Sequence, residues 1–392
     1  MSSFKLFTTI PAFVFILLLI KPSGALFSQD SYDADSLYNI QEYSKAFSLY
    51  DNCFKADSII HCGERASICA FHIGDYASSK YVAIALEKID SSNHTAISQL
   101  AKLYELEKNT PKSIKYYHKL VKIYPTNAIF IRKLGQQYLQ AGLITDAFRY
   151  LSQALKVNPR DMIALKSCAD IFISNKQFSE GDSLLRQGLS YDTLNISLHL
   201  SVAQSKFRQK AYDSTAFYLE KIIGIIDLSP YYNKLLGYSY IQLDSLNNAI
   251  YHLEKSLQDE GNKEYAHYYL ATAYEKLDSS IYAKHHYEQA IDASISKNVG
   301  LYHKSLGQIL DDEGNQKDAI PHYKDAIKFG DDPLNYFLLA KASDTYYRDK
   351  TIALRYYKKY LESNPKRKEY HSYARERVQL IKGYLHQAKG SN

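Results

Sequence analysis

The chain of 392 residues has no Trp, two Met, nine Pro, sixteen Gly and four Cys. These scarcities exclude several classes of protein. So few prolines and glycines provide no flexible linker, no Pro-rich spacer and no low-complexity tract. A formal charge of +6 is modest for this length, and it lacks the concentrated basic face that nucleic acid requires. The sequence has no HExxH, no Gly-rich phosphate loop and no nucleophile elbow, so no catalytic residue, metal site or cofactor is assigned. Past residue 20 there is no long apolar run. What is present is the composition of a folded protein, 46% hydrophobic and 23% charged, with an excess of Tyr at 37.

The first thirty residues stand apart from the rest. Lys5 precedes an apolar stretch from Leu6 to Ile20, and Ser23 and Ala25 follow at the −3 and −1 positions of a cleavage site. This layout predicts a signal peptide over 1–25, with an uncleaved anchor as the alternative. The stretch is shorter than the roughly 20 residues that span a bilayer. No Cys lies near the cleavage site, which argues against a lipid-modified terminus. Either reading places the remainder outside the cytoplasm, in the periplasm or elsewhere in the cell envelope.

The rest of the chain is periodic. Small residues recur at Ala46, Ser79, Ser113, Ala147, Gly181, Thr215, Ala249, Ala283, Ala319 and Ala353, at spacings of 33, six of 34, then 36 and 34. Twelve residues before all but the last stands another small residue: Ala34, Ser67, Ala101, Gly135, Ala169, Ala203, Gly237, Ala271 and Gly307. An aromatic often follows three residues later, as at Tyr104, Tyr138, Phe172, Tyr240 and Tyr274. Large residues such as Tyr117, Leu151, Leu219, Tyr287, Tyr323 and Tyr357 stand four after the second small position. Pro125, Pro159 and Pro365 close three units.

This pattern resembles the tetratricopeptide repeat family, and Ile131, Leu134, Gly135, Tyr138, Ala147, Leu151, Ala154 and Pro159 carry the match in one unit. The resemblance implies an all-α, right-handed superhelical solenoid of about ten helix-turn-helix repeats over 27–366. A capping helix is expected over 367–388, with Tyr370, Ala374, Val378, Ile381 and Leu385 on one face. Its basic residues, including Arg375, Arg377 and Lys382, offer an alternative docking surface for an anionic partner or membrane. The pattern is disturbed where two extra residues enter near Asp292 to Asn298. It is disturbed again in the last unit, where Lys341 takes the small position beside Ala342.

Cys168 falls at a core position, while Cys53 can reach Cys62 or Cys69 across a helix pair to staple the first unit, with free buried thiols as the alternative. His285 and His286 are adjacent, which makes them poor joint metal ligands, and they are read as exposed positions beside a core Tyr. The Tyr residues at the aromatic motif positions, Tyr104, Tyr117, Tyr138, Tyr240, Tyr274, Tyr287, Tyr323 and Tyr357, are expected in the core. In the family the first helix of each unit lines a concave groove. Carried over, its inward positions are Ile129, Arg132 and Gln136, then Lys166 and Asp170, then Leu200, Gln204 and Phe207. Next come Tyr231, Lys234 and Tyr238, then Tyr265 and Tyr268, and finally Lys304 and Gln308.

An aromatic patch flanked by Lys suits a protein or peptide partner, because Tyr offers large contact area at low entropic cost. The Lys and Asn clamp that one subfamily uses for a chaperone carboxylate is absent, since Tyr238 and Asp170 stand where Asn is required. Sequons occur at Asn93 and Asn195. The expected function is a non-catalytic scaffold or adaptor that binds a polypeptide in the groove. The alternative is a sensing module that acts on a separate membrane signalling partner. Membrane contact is expected only through an uncleaved N-terminus or the basic C-terminal helix.

Overall fold

A computed structural model describes residues 33–258, 263–294, 296–363 and 369–390. The leader over 1–25 lies outside the described residues, as do Pro365, Lys366, Arg367 and Lys368. Every regular element among the described residues is an α-helix. The chain divides into two compact units, the first ending at Ile171 and the second beginning at Phe172.

In the first unit, α1 (33–39) pairs with α2 (Tyr43–Asp57), and α3 (Ile60–His72) pairs with α4 (Tyr76–Ile89). The next pairs are α5 (His94–Leu106) with α6 (Thr110–Ile123), and α7 (Ala128–Gln140) with α8 (Ile144–Val157). The division falls within α9 (Met162–Ser174). The second unit starts its helices at α10 (Phe178–Tyr191) and continues with α11 (Ile196–Arg208) and α12 (Tyr212–Ile223), then α13 (Pro230–Gln242) and α14 (Leu246–Ser256). It goes on through α15 (Lys263–Lys276) and α16 (Ser280–Asp292), α17 (Val299–Asp312) and α18 (Gln316–Phe329), and α19 (Leu334–Tyr346) and α20 (Thr351–Glu362). The last helix is α21 (Glu369–Gly390).

Within each unit, consecutive helices pack on one another. The first helices of successive pairs also touch, α3 with α5, α11 with α13, α13 with α15 and α17 with α19. Among the described residues no second helix packs comparably on the next second helix of its unit. The first-helix side is therefore the inner side of each stack's curve.

The small residues explain why the pairs close so tightly. A Cβ added at Gly135 would stand 2.8 Å from Leu151 Cγ, one at Gly237 2.6 Å from Leu253 Cγ, and one at Gly307 2.8 Å from the Tyr323 ring. Where serines replace glycine, they bond across the same gap. Ser67 Oγ donates to the Ser79 carbonyl at 3.0 Å and Ser79 Oγ donates to the Ser67 carbonyl at 2.8 Å. In the last pair the buried small residue is Ala342 rather than Lys341, which is exposed.

The turn inside every pair but the last contains a left-handed residue. These fall at Gln41, Gly74, Lys108, Gly142, Lys176, Lys210, Asp244, Asp278 and Gly314, so glycine fills only three of the nine. Lys and Asp together occupy this position more often than glycine. The hydrogen bonds repeat too, with Gly142 N–H to Leu139 at 3.0 Å and Leu143 N–H to Tyr138 at 2.9 Å. That is the Schellman closure of a helix end. The last pair uses another device, with the Lys350 ammonium donating to the Asp344 and Tyr347 carbonyls. Many helices start on a side-chain cap, including Asp75, Asn93, Asn109, Asn127, Asn195 and Asn315.

The long spacing between the eighth and ninth repeats has its own anchor. Glu264 is buried and accepts hydrogen bonds from Tyr302 Oη at 2.7 Å, from Ser294 Oγ at 3.2 Å and from Ser296 Oγ. At the C-terminus, Ala374, Val378 and Ile381 of α21 pack with Phe337, Tyr357 and Tyr360. Arg377 donates twice to Asp344 Oδ2, at 2.9 and 2.7 Å, so this basic residue ties α21 to α19. Leu380 and Tyr384 stay exposed on α21, whose outer face is only partly polar.

Two expected outcomes test this account. Gly237→Ala is expected to cost about 1–3 kcal/mol, because the added methyl meets Leu253. Lys108→Gly and Lys210→Gly are each expected to stabilise by about 0.5–1 kcal/mol, by removing a left-handed non-glycine residue. Urea unfolding of each variant provides the check.

Candidate functional site

The inner face of the second unit carries a continuous run of aromatic rings. Phe207 near the end of α11 meets Tyr238 of α13 at 5.6 Å between ring centres, and Tyr212 meets both, at 5.9 and 5.6 Å. Tyr238 then meets Tyr269 of α15 at 4.6 Å, and Tyr269 lies 6.3 Å from Tyr265. The contact distances suit edge-to-face and tilted aromatic pairing. Tyr231 is 43% exposed and its hydroxyl accepts from Gln204 Nε2 at 2.9 Å. Tyr265 accepts from Asn298 Nδ2 at 3.1 Å. Burial raises the pKa of the Tyr212 and Tyr269 hydroxyls above the ordinary phenol range, so both stay neutral.

One residue of the expected patch is turned elsewhere. Tyr268 packs at 4.9 Å from Tyr302 and 6.1 Å from Tyr287, beside Ala271, Ala283 and Leu306 in the core. Tyr269, one residue on and so about 100° around the helix, joins the aromatic run in its place. Tyr212 was also missed, because it opens a second helix while the groove positions were sought on first helices. The run of Tyr residues in the sequence signals the patch but does not say which ring faces where.

The charged positions are not free. Arg132 Nε donates to Asp161 at 2.8 Å and its Nη1 approaches Gln136 at 3.5 Å. Lys166 pairs with Asp170 at 2.6 Å, and Lys304 with Asp332 at 3.0 Å. Asp161 also accepts from the Ile163 and Ala164 N–H groups at the start of α9. These residues therefore hold neighbouring elements together as well as lining the face. Lys234 and Gln308 are half-buried on α13 and α17.

In the second unit, several histidines occupy a different layer, between the two helices of a pair. His199 meets the Tyr218 ring at 5.7 Å, and His252 Nδ1 bonds Asn233 at 2.9 Å. The His267 and His286 Nδ1 atoms lie 3.1 Å apart, and those of His303 and His322 2.9 Å. His286 also stacks on Tyr274 at 5.5 Å, so it is not the exposed position its sequence neighbourhood suggested. His285 beside it is exposed. Each close Nδ1 pair shares one hydrogen, one ring donating and the other accepting. A second proton would set two donors against each other. Burial lowers His267, His303 and His322 below the usual imidazole range, and burial with the His267 and His285 charges lowers His286 to about 4.

The motif tyrosines divide. Tyr104, Tyr117, Tyr287, Tyr323 and Tyr357 are buried, but Tyr138, Tyr240 and Tyr274 are only half-buried and stack on Tyr150, His252 and His286. Cys53 is bonded to Cys62, with their Cα atoms 6.0 Å apart. Cys69 and Cys168 are buried thiols, each pushed up to about 11 by burial. Asn93 is buried, donates to Glu64 at 2.7 Å and accepts from Ala96 N–H at 2.8 Å, so its sequon is closed to a glycan. Among the described residues no group of three or more His, Cys, Asp or Glu could hold a metal ion. No described helix is long and apolar enough to cross a membrane.

A family model for the tetratricopeptide repeat matches residues 95–127, which cover α5, α6 and the turn between them. Residues 95–127 thus match one tetratricopeptide repeat, and the other helix pairs repeat the construction of the matched one. No curated protein matches it. Among solved structures, a tetratricopeptide repeat protein from Parabacteroides merdae is 12% identical, over 64% of this chain and 98% of its own, with a TM-score of 0.46. YrrB, described as having an unusual peptide-binding site, is 13% identical over 50% of this chain and 97% of its own, with a TM-score of 0.44. A chain of the APC/C Cut9–Hcn1 hetero-tetramer is 17% identical over 82% of this chain and 64% of its own, with a TM-score of 0.43.

The histidine layer makes stability depend on pH. Folded-state pKa values below the unfolded 6.5 mean that, in mild acid, the unfolded chain binds protons the folded chain refuses. Stability is therefore complete above about pH 6.5 and is lost as pH falls toward 4. His286→Gln with His322→Gln is expected to shrink the fall in melting temperature between pH 7 and pH 5. The effect, discounted for partial exposure, is on the order of 1 kcal/mol per pair. An unchanged fall would show that other groups carry the acid sensitivity.

Proposed function

We propose that the protein is a non-catalytic adaptor outside the cytoplasm, holding a polypeptide partner against the aromatic inner face of its second unit. One observation carries this reading. Phe207, Tyr212, Tyr238, Tyr269 and Tyr265 form one unbroken run of rings across α11, α13 and α15, flanked by the exposed Tyr231. A rigid aromatic track on the inner side of stacked helices binds a chain segment with little loss of side-chain entropy. Lys304 of this unit is already paired with Asp332, so affinity on this face rests on ring contact more than on charge. Location outside the cytoplasm is supported by the leader pattern of 1–25 and by the Cys53–Cys62 bond, which suits an oxidising compartment.

The test compares the chain with a Tyr231→Ala, Tyr238→Ala variant in affinity capture from the native envelope fraction. A partner held by the wild type is expected to be lost from the variant while helical circular dichroism is retained. Retention of the partner by both would move the binding surface to the outer face or to α21.

A further inference from the structure

We propose that the first unit carries a second recognition site, a hollow beside α5 that takes an apolar peptide segment bearing a carboxylate side chain. The hollow has a volume of about 410 Å³, and its apolar wall is made by Ile68 of α3, Leu120 of α6 and Phe130 of α7. The polar side of the hollow comes from α5, with His94, Thr95, Ser98, Gln99 and Lys102, of which Gln99 and Lys102 carry the argument.

Lys102 differs from the lysines around it. Lys80 pairs with Glu107 at 2.8 Å, Lys119 with Glu87 at 2.6 Å and Lys133 with Glu105 at 2.7 Å. Lys102 has no carboxylate within ion-pair distance among the described residues, and its ammonium lies 5.7 Å from the centre of the Phe71 ring. No acidic residue lines the hollow. Burial and the nearby Lys133 disfavour its charge, a cost that an arriving anion would relieve.

Gln99 supplies the independent sign of a ligand. Its side chain is only 4% exposed, and its buried Oε1 has no hydrogen-bond partner. A buried polar atom without a partner is uncommon in a folded protein and costs stability. A peptide fits both requirements together. An Asp or Glu side chain meets Lys102, a backbone N–H meets Gln99, and a neighbouring apolar side chain lies on Leu120 and Phe130. A simple acyl or aryl carboxylate lacks the N–H donor. The site belongs to the first unit and the aromatic run to the second, and it stands independently of the function proposed for that run.

The experiment uses the purified chain and a fluorescein-labelled, C-terminally amidated pentapeptide, Ala-Leu-Glu-Phe-Ala, with a second peptide carrying Gln in place of Glu. Fluorescence anisotropy at low salt is expected to show the Glu peptide binding about fivefold more tightly. Lys102→Met is expected to abolish that preference with the melting temperature retained, because Lys102 makes no ion pair among the described residues for the substitution to break. Gln99→Leu is expected to weaken both peptides alike while raising the melting temperature, which a purely structural role for Gln99 would not produce. Equal affinity for the two peptides, no binding of either, or a preference that survives Lys102→Met would each overturn the site. Displacement of the peptide by phenylacetate at the same concentration would overturn the peptide as occupant and leave a small acid in its place.

Discussion

The close approach of two antiparallel helices at one small-residue position is the constraint on which each unit depends. At Gly135 and Gly237 the facing Leu leaves no space even for a methyl group, and at Ser67 and Ser79 the same gap is closed by reciprocal hydrogen bonds. Such contact fixes the register of each pair. The register then fixes which side chains meet across it, because residues nineteen apart in sequence face one another wherever the pair closes this way. Asn233 with His252, His267 with His286, and His303 with His322 are all consequences of that geometry.

The same geometry separates two chemistries. Between the helices of a pair, burial favours neutral groups, and the histidines there hold one proton where two would repel. On the inner side, successive first helices touch, so side chains from neighbouring repeats come together in rows. In the second unit the row is aromatic. In the first unit it leaves a hollow with an unpaired lysine and an unsatisfied amide. One repeated scaffold therefore presents different surfaces along its length, which is what a binding protein built from repeats requires.

Charge plays a supporting part. Arg132 with Asp161 and Lys304 with Asp332 link one first helix to the start of the next, and Arg377 with Asp344 links the last helix to α19. Pairs of this kind, mostly at partly exposed positions, contribute modestly to stability. Their value lies in directing the approach of one helix to the next, and in removing from the inner face charges that would otherwise compete with ring contact. Lys102 shows what an unpaired cation on that face looks like.

The sequence by itself determined the repeat. The 34-residue spacing of small residues, the apolar face of the last helix and the absence of catalytic motifs are all local and periodic, so they are legible without coordinates. The composition of the aromatic patch was legible for the same reason. Only the tertiary structure decided that Tyr268 turns inward while Tyr269 faces the row, since adjacent helical residues differ by about 100° and both are Tyr. It also decided that Cys62 rather than Cys69 bonds Cys53, and that Lys and Asp supply most of the left-handed turns. Those choices depend on which atoms lie within a few ångströms of each other, and no one-dimensional pattern encodes that distance.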